Sequence, residues 1–302
     1  HGIYNFQERV PGEYRLRLPT AQDRSLPAFW EVASDAGCNV VTARVPMSYP
    51  VRPVNGMQVA DWLAPSPKSA GFTYPSSLAR DLRRRFGDGF WLEPADLLNS
   101  ARYYHTLRCL CDNVDKTFEL FQFLLEREQP DVFFGVVREA DVGGHIFWGF
   151  HAGDKGCHDL YLTRDMQAAL RQLYERIDRR LGEMLERMPA DANLLIISDH
   201  GMGARPTSPD YLKPLLEEAG VMVRRPPSAE HPGWWPRMRR AACRRLPWAL
   251  RRRLRPFSAD TWSQGFTDAY LSEIDFARSR AFSYAYSIMG EVWLNLRGRD
   301  PQ

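Results

Sequence analysis

Asn193-Leu194-Leu195-Ile196-Ile197-Ser198-Asp199-His200-Gly201-Met202 is the stretch on which the reading of the fold turns. Leu194 to Ile197 are apolar without alternation, as in a strand buried on both faces of a sheet. Upstream, residues 161–188 have the apolar spacing of a long amphipathic helix. The same order occurs earlier in the chain. Leu107, Leu110, Val114, Phe118, Phe121 and Leu125 recur at helical spacing within 104–128, Pro130 stops that helix, and 131–137 reads as a second buried strand. Before it, a helix over 26–36 ends at Gly37, which serves as a C-cap, and the β-branched run 39–45 reads as another strand. Residues 46–75 are rich in Pro, Gly and Ser and read as loop. Alternating helices and continuously apolar strands imply an α/β fold, with a mostly parallel sheet and helices on both faces.

The composition is that of an ordinary globular protein. Of 302 residues, 44% are hydrophobic and 25% charged, which excludes a disordered tail, a collagen-like repeat or a disulfide miniprotein. Such a length buries a full core, as one large domain or a core with an insertion. No apolar stretch approaches the roughly 18–20 residues of a membrane-spanning helix. The five cysteines (Cys38, Cys109, Cys111, Cys157, Cys243) are odd in number and lack CxxC spacing, so reduced thiols and a cytoplasmic location are expected. Beyond Gly203 the composition changes, and strands return at 281–288 and 291–296. The expected organisation is an α/β core over 1–205, a helical Arg/Pro/Trp-rich cap insertion over 206–275, and a return to the core over 276–302.

A formal net charge of +3 conceals a local excess: residues 224–255 hold eleven Arg and a single acid, Glu230, leaving the remainder net acidic. Within 234–255 the arginines interleave with Trp234, Trp235, Leu246, Trp248, Leu250 and Leu254. Such a segment lies on an anionic membrane surface or steers an anionic phosphate substrate. The plain alternative is a solvated lid whose Arg stems cover apolar surface. Nucleic acid is not the expected partner.

In open parallel sheets, ligands sit at the carboxyl ends of the strands. After strand 131–137 comes Arg138-Glu139-Ala140-Asp141-Val142-Gly143-Gly144-His145, and after 193–197 comes Ser198-Asp199-His200-Gly201-Met202. Both strands deliver an Asp and a His to one edge. Two carboxylates and two imidazoles suit a borderline divalent ion such as Zn²⁺ or Mn²⁺. A helical turn beginning there lets Asp141 and His145, four residues apart, face one way. Gly143 and Gly144 leave room for a close approach, and Gly201 permits the turn an adjacent Asp-His pair needs. The plain readings are a chance Asp-x-x-x-His spacing and an Asp199 that merely caps a turn. His105 reads as a surface or core residue of a helix, and His151, His158 and His231 read as loop residues.

Ile196-Ile197-Ser198-Asp199-His200-Gly201-Met202, preceded by Asp141-x-x-x-His145, resembles the alkaline phosphatase superfamily, in its branch of type I phosphodiesterase/nucleotide pyrophosphatase-like phosphohydrolases. His1-Gly2-Ile3-Tyr4-Asn5-Phe6 is similar to the segment after that family's nucleophile helix. Val45-Pro46-Met47-Ser48-Tyr49-Pro50, Pro53-Val54-Asn55-Gly56, Phe72-Thr73-Tyr74-Pro75 and Trp293-Leu294-Asn295-Leu296-Arg297-Gly298-Arg299 also match. The resemblance implies an alkaline phosphatase-like fold and a phosphoric ester hydrolase with two divalent ions, usually zinc. Asp141 and His145 would bind one ion and Asp199 and His200 the other. It also implies a covalent phospho-Thr/Ser intermediate and, as substrate, a phosphate-ester small molecule or phospholipid headgroup. Three family positions have no match: an Asp on the first strand, the nucleophile, and a third His near the C-terminus. Thr42, Ser48 and Thr73 do not lie where the nucleophile belongs, so no catalytic residue is assigned. The expectation is a fragment with weak metal affinity and little activity alone. Two alternatives are a non-catalytic relative binding anionic membrane or polyanion through its basic cap, and a phosphomutase of the same superfamily.

Overall fold

The computed structural model describes residues 2–3, 7–61, 64–87, 103–152, 164–203, 212–225, 273–284 and 291–301. In chain order the elements are β1 (Glu8–Arg9), β2 (Leu16–Arg17), α1 (Phe29–Asp35), β3 (Val40–Val45), β4 (Gly56–Ala60), β5 (Thr73–Tyr74), α2 (Leu78–Phe86), α3 (Tyr103–Glu128), β6 (Val132–Gly135), α4 (Glu139–His151), α5 (Arg164–Leu185), α6 (Leu212–Glu218), β7 (Ala281–Phe282) and β8 (Trp293–Leu294). The chain divides into two compact units, Thr20–Pro206 on the one hand and His1–Pro19 with Thr207–Gln302 on the other.

The sheet of the larger unit is mixed, in the order β5-β4-β3-β6. β3 runs parallel to both β4 and β6, and β5 lies antiparallel to β4. Successive side chains of a strand point to opposite faces, and β3 shows this directly. Val41 and Ala43 pack with Leu110, Val114, Phe118 and Phe121 of α3, Phe147 and Phe150 of α4, and Leu170 and Leu173 of α5. Val40 packs with Trp30 of α1 instead. Helices therefore cover both faces, as the apolar strands imply. Arg176 of α5 donates from Nε to Asp115 Oδ1 of α3 at 2.8 Å, tying two of the covering helices together.

Two expectations are corrected. Residues 46–75 are not loop throughout, because they contain β4 and β5. The centre of β4 is Gln58, which breaks the apolar run by which buried strands are recognised. The fold satisfies that amide: Thr42 Oγ1 donates to Gln58 Oε1 at 3.2 Å, and Gln58 Nε2 donates to the Arg52 carbonyl at 2.5 Å. Secondly, residues 193–198 form no ladder with any described strand, and Leu194, Leu195, Ile196 and Ile197 are 43%, 81%, 68% and 68% exposed. Apolar composition makes burial favourable, but a strand also needs a neighbour's N–H and C=O groups, which no described strand supplies here.

In the smaller unit β1–β2 and β7–β8 are antiparallel pairs. Leu16, Met222, Ile274, Phe276, Phe282 and Tyr284 form its core. The Tyr14 ring stacks on Phe276 with centroids 3.6 Å apart. The expected cap 206–275 falls mostly outside the described residues, as does all of the basic stretch 234–255; α6 belongs to the part that is described.

Arg9 and Asp300 make an ion pair at 2.5 Å, with side chains 7% and 0% exposed. Burial opposes the Asp300 charge, but Arg299, the Leu296 N–H and Arg9 outweigh it and hold the carboxyl below the usual Asp range. A depressed folded pKa contributes stability above the unfolded value of about 4, and that contribution is lost as pH falls through the folded value. Asp300→Asn should therefore flatten the loss of stability below about pH 4. Urea titrations of parent and variant on either side of that pH check this; an unchanged acid limb would rule Asp300 out as its source.

Candidate active site

The first Asp-His pair stands on α4, which begins at Glu139, shortly after β6 ends. Asp141 and His145 are one turn apart on its exposed face, with His145 Nε2 3.3 Å from Asp141 Oδ1. The helix runs through Gly143 and Gly144 although each weakens a helix by about 1 kcal/mol relative to Ala. Close packing explains both. A Cβ at 143 would lie 2.2 Å from Leu173 Cδ2 on α5, and one at 144 would lie 2.4 Å from Met202 Cε and 2.7 Å from Met202 Cγ. One glycine seats α4 on its neighbour. The other admits Met202, two residues beyond the second Asp-His pair, against the helix backbone at position 144.

Asp199 and His200 are both exposed. Ser198 Oγ donates to the His200 carbonyl at 2.6 Å. His200 Nδ1 lies 2.8 Å from the Gly201 carbonyl, so it carries the proton and leaves Nε2 as the free acceptor of the neutral ring. That bond raises the His200 pKa most, the charge of Asp199 adds to it, and burial opposes them, with Asp141 contributing least.

The two pairs are brought beside each other without closing into one coordination shell. Among the described residues no group of three or more His, Cys, Asp or Glu side chains is placed to hold a metal ion. The donor chemistry, one carboxylate and one imidazole per pair, fits a borderline divalent ion, but two protein ligands per ion fall short of the usual three of a catalytic zinc site. His105 lies elsewhere, on α3, with Nε2 3.5 Å from Cys109 Sγ. His158 and His231 lie outside the described residues.

Charged residues at the same sheet edge carry no signal in the spacing of Asp and His. Asp61 directly follows β4 and is buried, and Arg44, near the end of β3, reaches Glu139 at the start of α4. Burial pushes the Arg138 guanidinium below its ordinary value, while the Asp61 carboxylate pulls it back up. Reading β4 as loop hides Asp61; the run Met57-Gln58-Val59-Ala60 ending in an acid was the available clue.

The fold is α/β, with Asp141 and His145 on the helix that follows β6 and Met202, two residues after His200, packed on Gly144 of that helix. The family profile for Type I phosphodiesterase / nucleotide pyrophosphatase matches residues 1–273. The chain belongs to that family, which is part of the alkaline phosphatase superfamily and comprises phosphodiester and pyrophosphate hydrolases, typically dependent on divalent metal ions. No curated protein and no solved structure matched the chain.

Proposed function

We propose that this chain carries the Asp-His halves of a two-metal phosphoester hydrolase site, with Asp141 and His145 toward one ion and Asp199 and His200 toward the other. The observation that supports this reading is the packing of Met202, two residues after His200, on Gly144, one residue before His145. The ions, when bound, supply charge neutralisation at the phosphoryl oxygens. The chain's own residues hold the donors. The Gly201 carbonyl orients the His200 ring through Nδ1, an outer contact of the kind that fixes the ligating nitrogen. No nucleophile is assigned among the described residues. The Thr42 hydroxyl is committed to Gln58 and that of Thr73 to the Pro75 carbonyl at 3.2 Å. Ser48 Oγ is buried and without a hydrogen-bond partner among the described residues, but it does not lie where the family places its nucleophile. The covalent phospho-Thr/Ser route is thus left without an assigned attacking group, and the proposed substrate is a phosphate-ester small molecule.

Equilibrium dialysis with Zn²⁺ and with Mn²⁺, alongside turnover of aryl phosphate mono- and diesters, tests the reading. Asp141→Ala and Asp199→Ala should each remove one class of bound ion, and the double variant both, with circular dichroism unchanged because all four side chains are exposed. Binding that survives both substitutions would sink the site. The second reading, a non-catalytic relative binding polyanions, rests on the eleven arginines within 224–255. It takes over if the chain co-sediments with anionic vesicles in a salt-dependent way and binds no metal.

A further inference from the structure

Arg44 sits where the β3–β4 ladder slips, with Ala43 opposite Val59 and Val45 opposite Ala60. Its φ is 64°, a left-handed conformation that a side-chain-bearing residue keeps only where the surroundings over-determine it. The slip has a directional effect. Strict alternation would send Arg44 to the face of Val40 and Val45 to the face of Ala43. Instead Val45 joins Val40 and Trp30 on the α1 face, and Arg44 turns toward α3 and α4. A bulge re-aims a side chain in this way.

The guanidinium meets a buried target. Arg44 Nη1 donates to Glu139 Oε1 at 2.8 Å, with side chains 12% and 2% exposed. It also donates to Thr117 Oγ1. The same carboxylate oxygen accepts from Asn113 Nδ2 and, at 3.3 Å, from Thr117 Oγ1, both on α3. Glu139 is the first residue of α4, two before Asp141. Buried ion pairs add little net stability over apolar packing of the same volume, so a strained bulge spent on this pair calls for a geometric role.

We propose that Arg44 is a positioning residue: the bulge in β3 turns its guanidinium onto Glu139, and the buried pair sets where α4 starts and which way Asp141 and His145 face. The metal side of this inference rests on the reading given under Proposed function, whereas the anchoring of α4 stands without it.

The test uses the full chain. Arg44→Gly accepts a φ of 64° and removes the whole side chain, stem and guanidinium, so Arg44→Lys, which keeps the stem, is needed to separate charge from packing. Combining Arg44→Gly with Glu139→Gln leaves no unpaired buried charge. Arg44→Lys is the conservative variant. Hydrogen exchange is followed in peptides of α4 with α5 as internal reference, and Zn²⁺ affinity is measured by calorimetry. In the double variant the first turn of α4 should exchange at least about tenfold faster, with α5 unchanged, and Zn²⁺ affinity should fall about 10–100-fold, the usual effect of losing an outer partner of a ligand. Arg44→Lys should restore part of both. Unchanged exchange in α4, or equal loosening of α5, overturns the anchoring. Faster α4 exchange with unchanged Zn²⁺ affinity makes the pair a plain structural bond and overturns the positioning role. A parent chain that binds no Zn²⁺ refutes the underlying site and with it the metal-positioning role, and the α4 exchange then decides the anchoring alone.

Discussion

Gly56→Ala should unfold the larger unit under conditions where the parent is folded. Gly56 opens β4 opposite Val40, at the start of the parallel ladder. Its φ is 131°, and a Cβ there would lie 2.2 Å from the Val40 carbonyl oxygen and 2.7 Å from Asn39 Oδ1. The first obstacle is backbone of a fully buried residue and cannot swing aside. Relief requires β3 and β4 to part, which would break the hydrogen bond from Val40 N–H to the Asn55 carbonyl at 2.7 Å. A strained φ costs about 1–3 kcal/mol, and the broken pairing and clash raise the total beyond about 4 kcal/mol, a large share of a typical folding stability. Gly37 is the control: its φ is 95° but nothing lies within 4 Å of its Cβ position. Gly37→Ala should lose only the conformational part, about 1 kcal/mol. Urea denaturation followed by circular dichroism compares them, and equal losses would show that close approach at Gly56 is not what selects glycine.

The second large effect separates two adjacent glycines. Gly143→Val should destabilise the chain by about 2–3 kcal/mol, the usual penalty for overpacking a tight core. The reason is that Leu173, whose Cδ2 stands 2.2 Å from the new Cβ, is fully buried in the core. Gly144→Val meets the side chain of Met202, in a stretch that is otherwise exposed, and this can retreat. It should leave stability within about 1 kcal/mol of the parent and instead drive Met202 off α4, separating the two Asp-His pairs. Denaturation together with Zn²⁺ binding reads both quantities. If Gly144→Val left metal binding intact, the Met202 contact would be irrelevant to the site.

Much of the architecture is legible without coordinates. The helical spacing of Leu107, Leu110, Val114, Phe118 and Phe121 reports α3, because a helix buries one stripe and that stripe is periodic. Pro130 and the apolar run after it locate β6 for an equally local reason. β4 is not legible, because the polar Gln58 at its centre is satisfied only by Thr42, sixteen positions away, and by the Arg52 carbonyl. The run 194–197 misleads in the opposite sense. Its apolar residues announce a buried strand, but pairing is a property of two strands, and one sequence segment describes only itself.

The site divides along the same line. The identities and spacings of Asp141, His145, Asp199 and His200, and the chemistry that an Asp-His pair can perform, are local and are written in the chain. That Gly144 receives Met202 and that Arg44 turns from one face of β3 to the other are decided by the tertiary structure. Each depends on the close approach of segments distant in sequence, or on a backbone dihedral that only the assembled neighbours hold in place. Side-chain types set what a residue can do; packing sets what it meets.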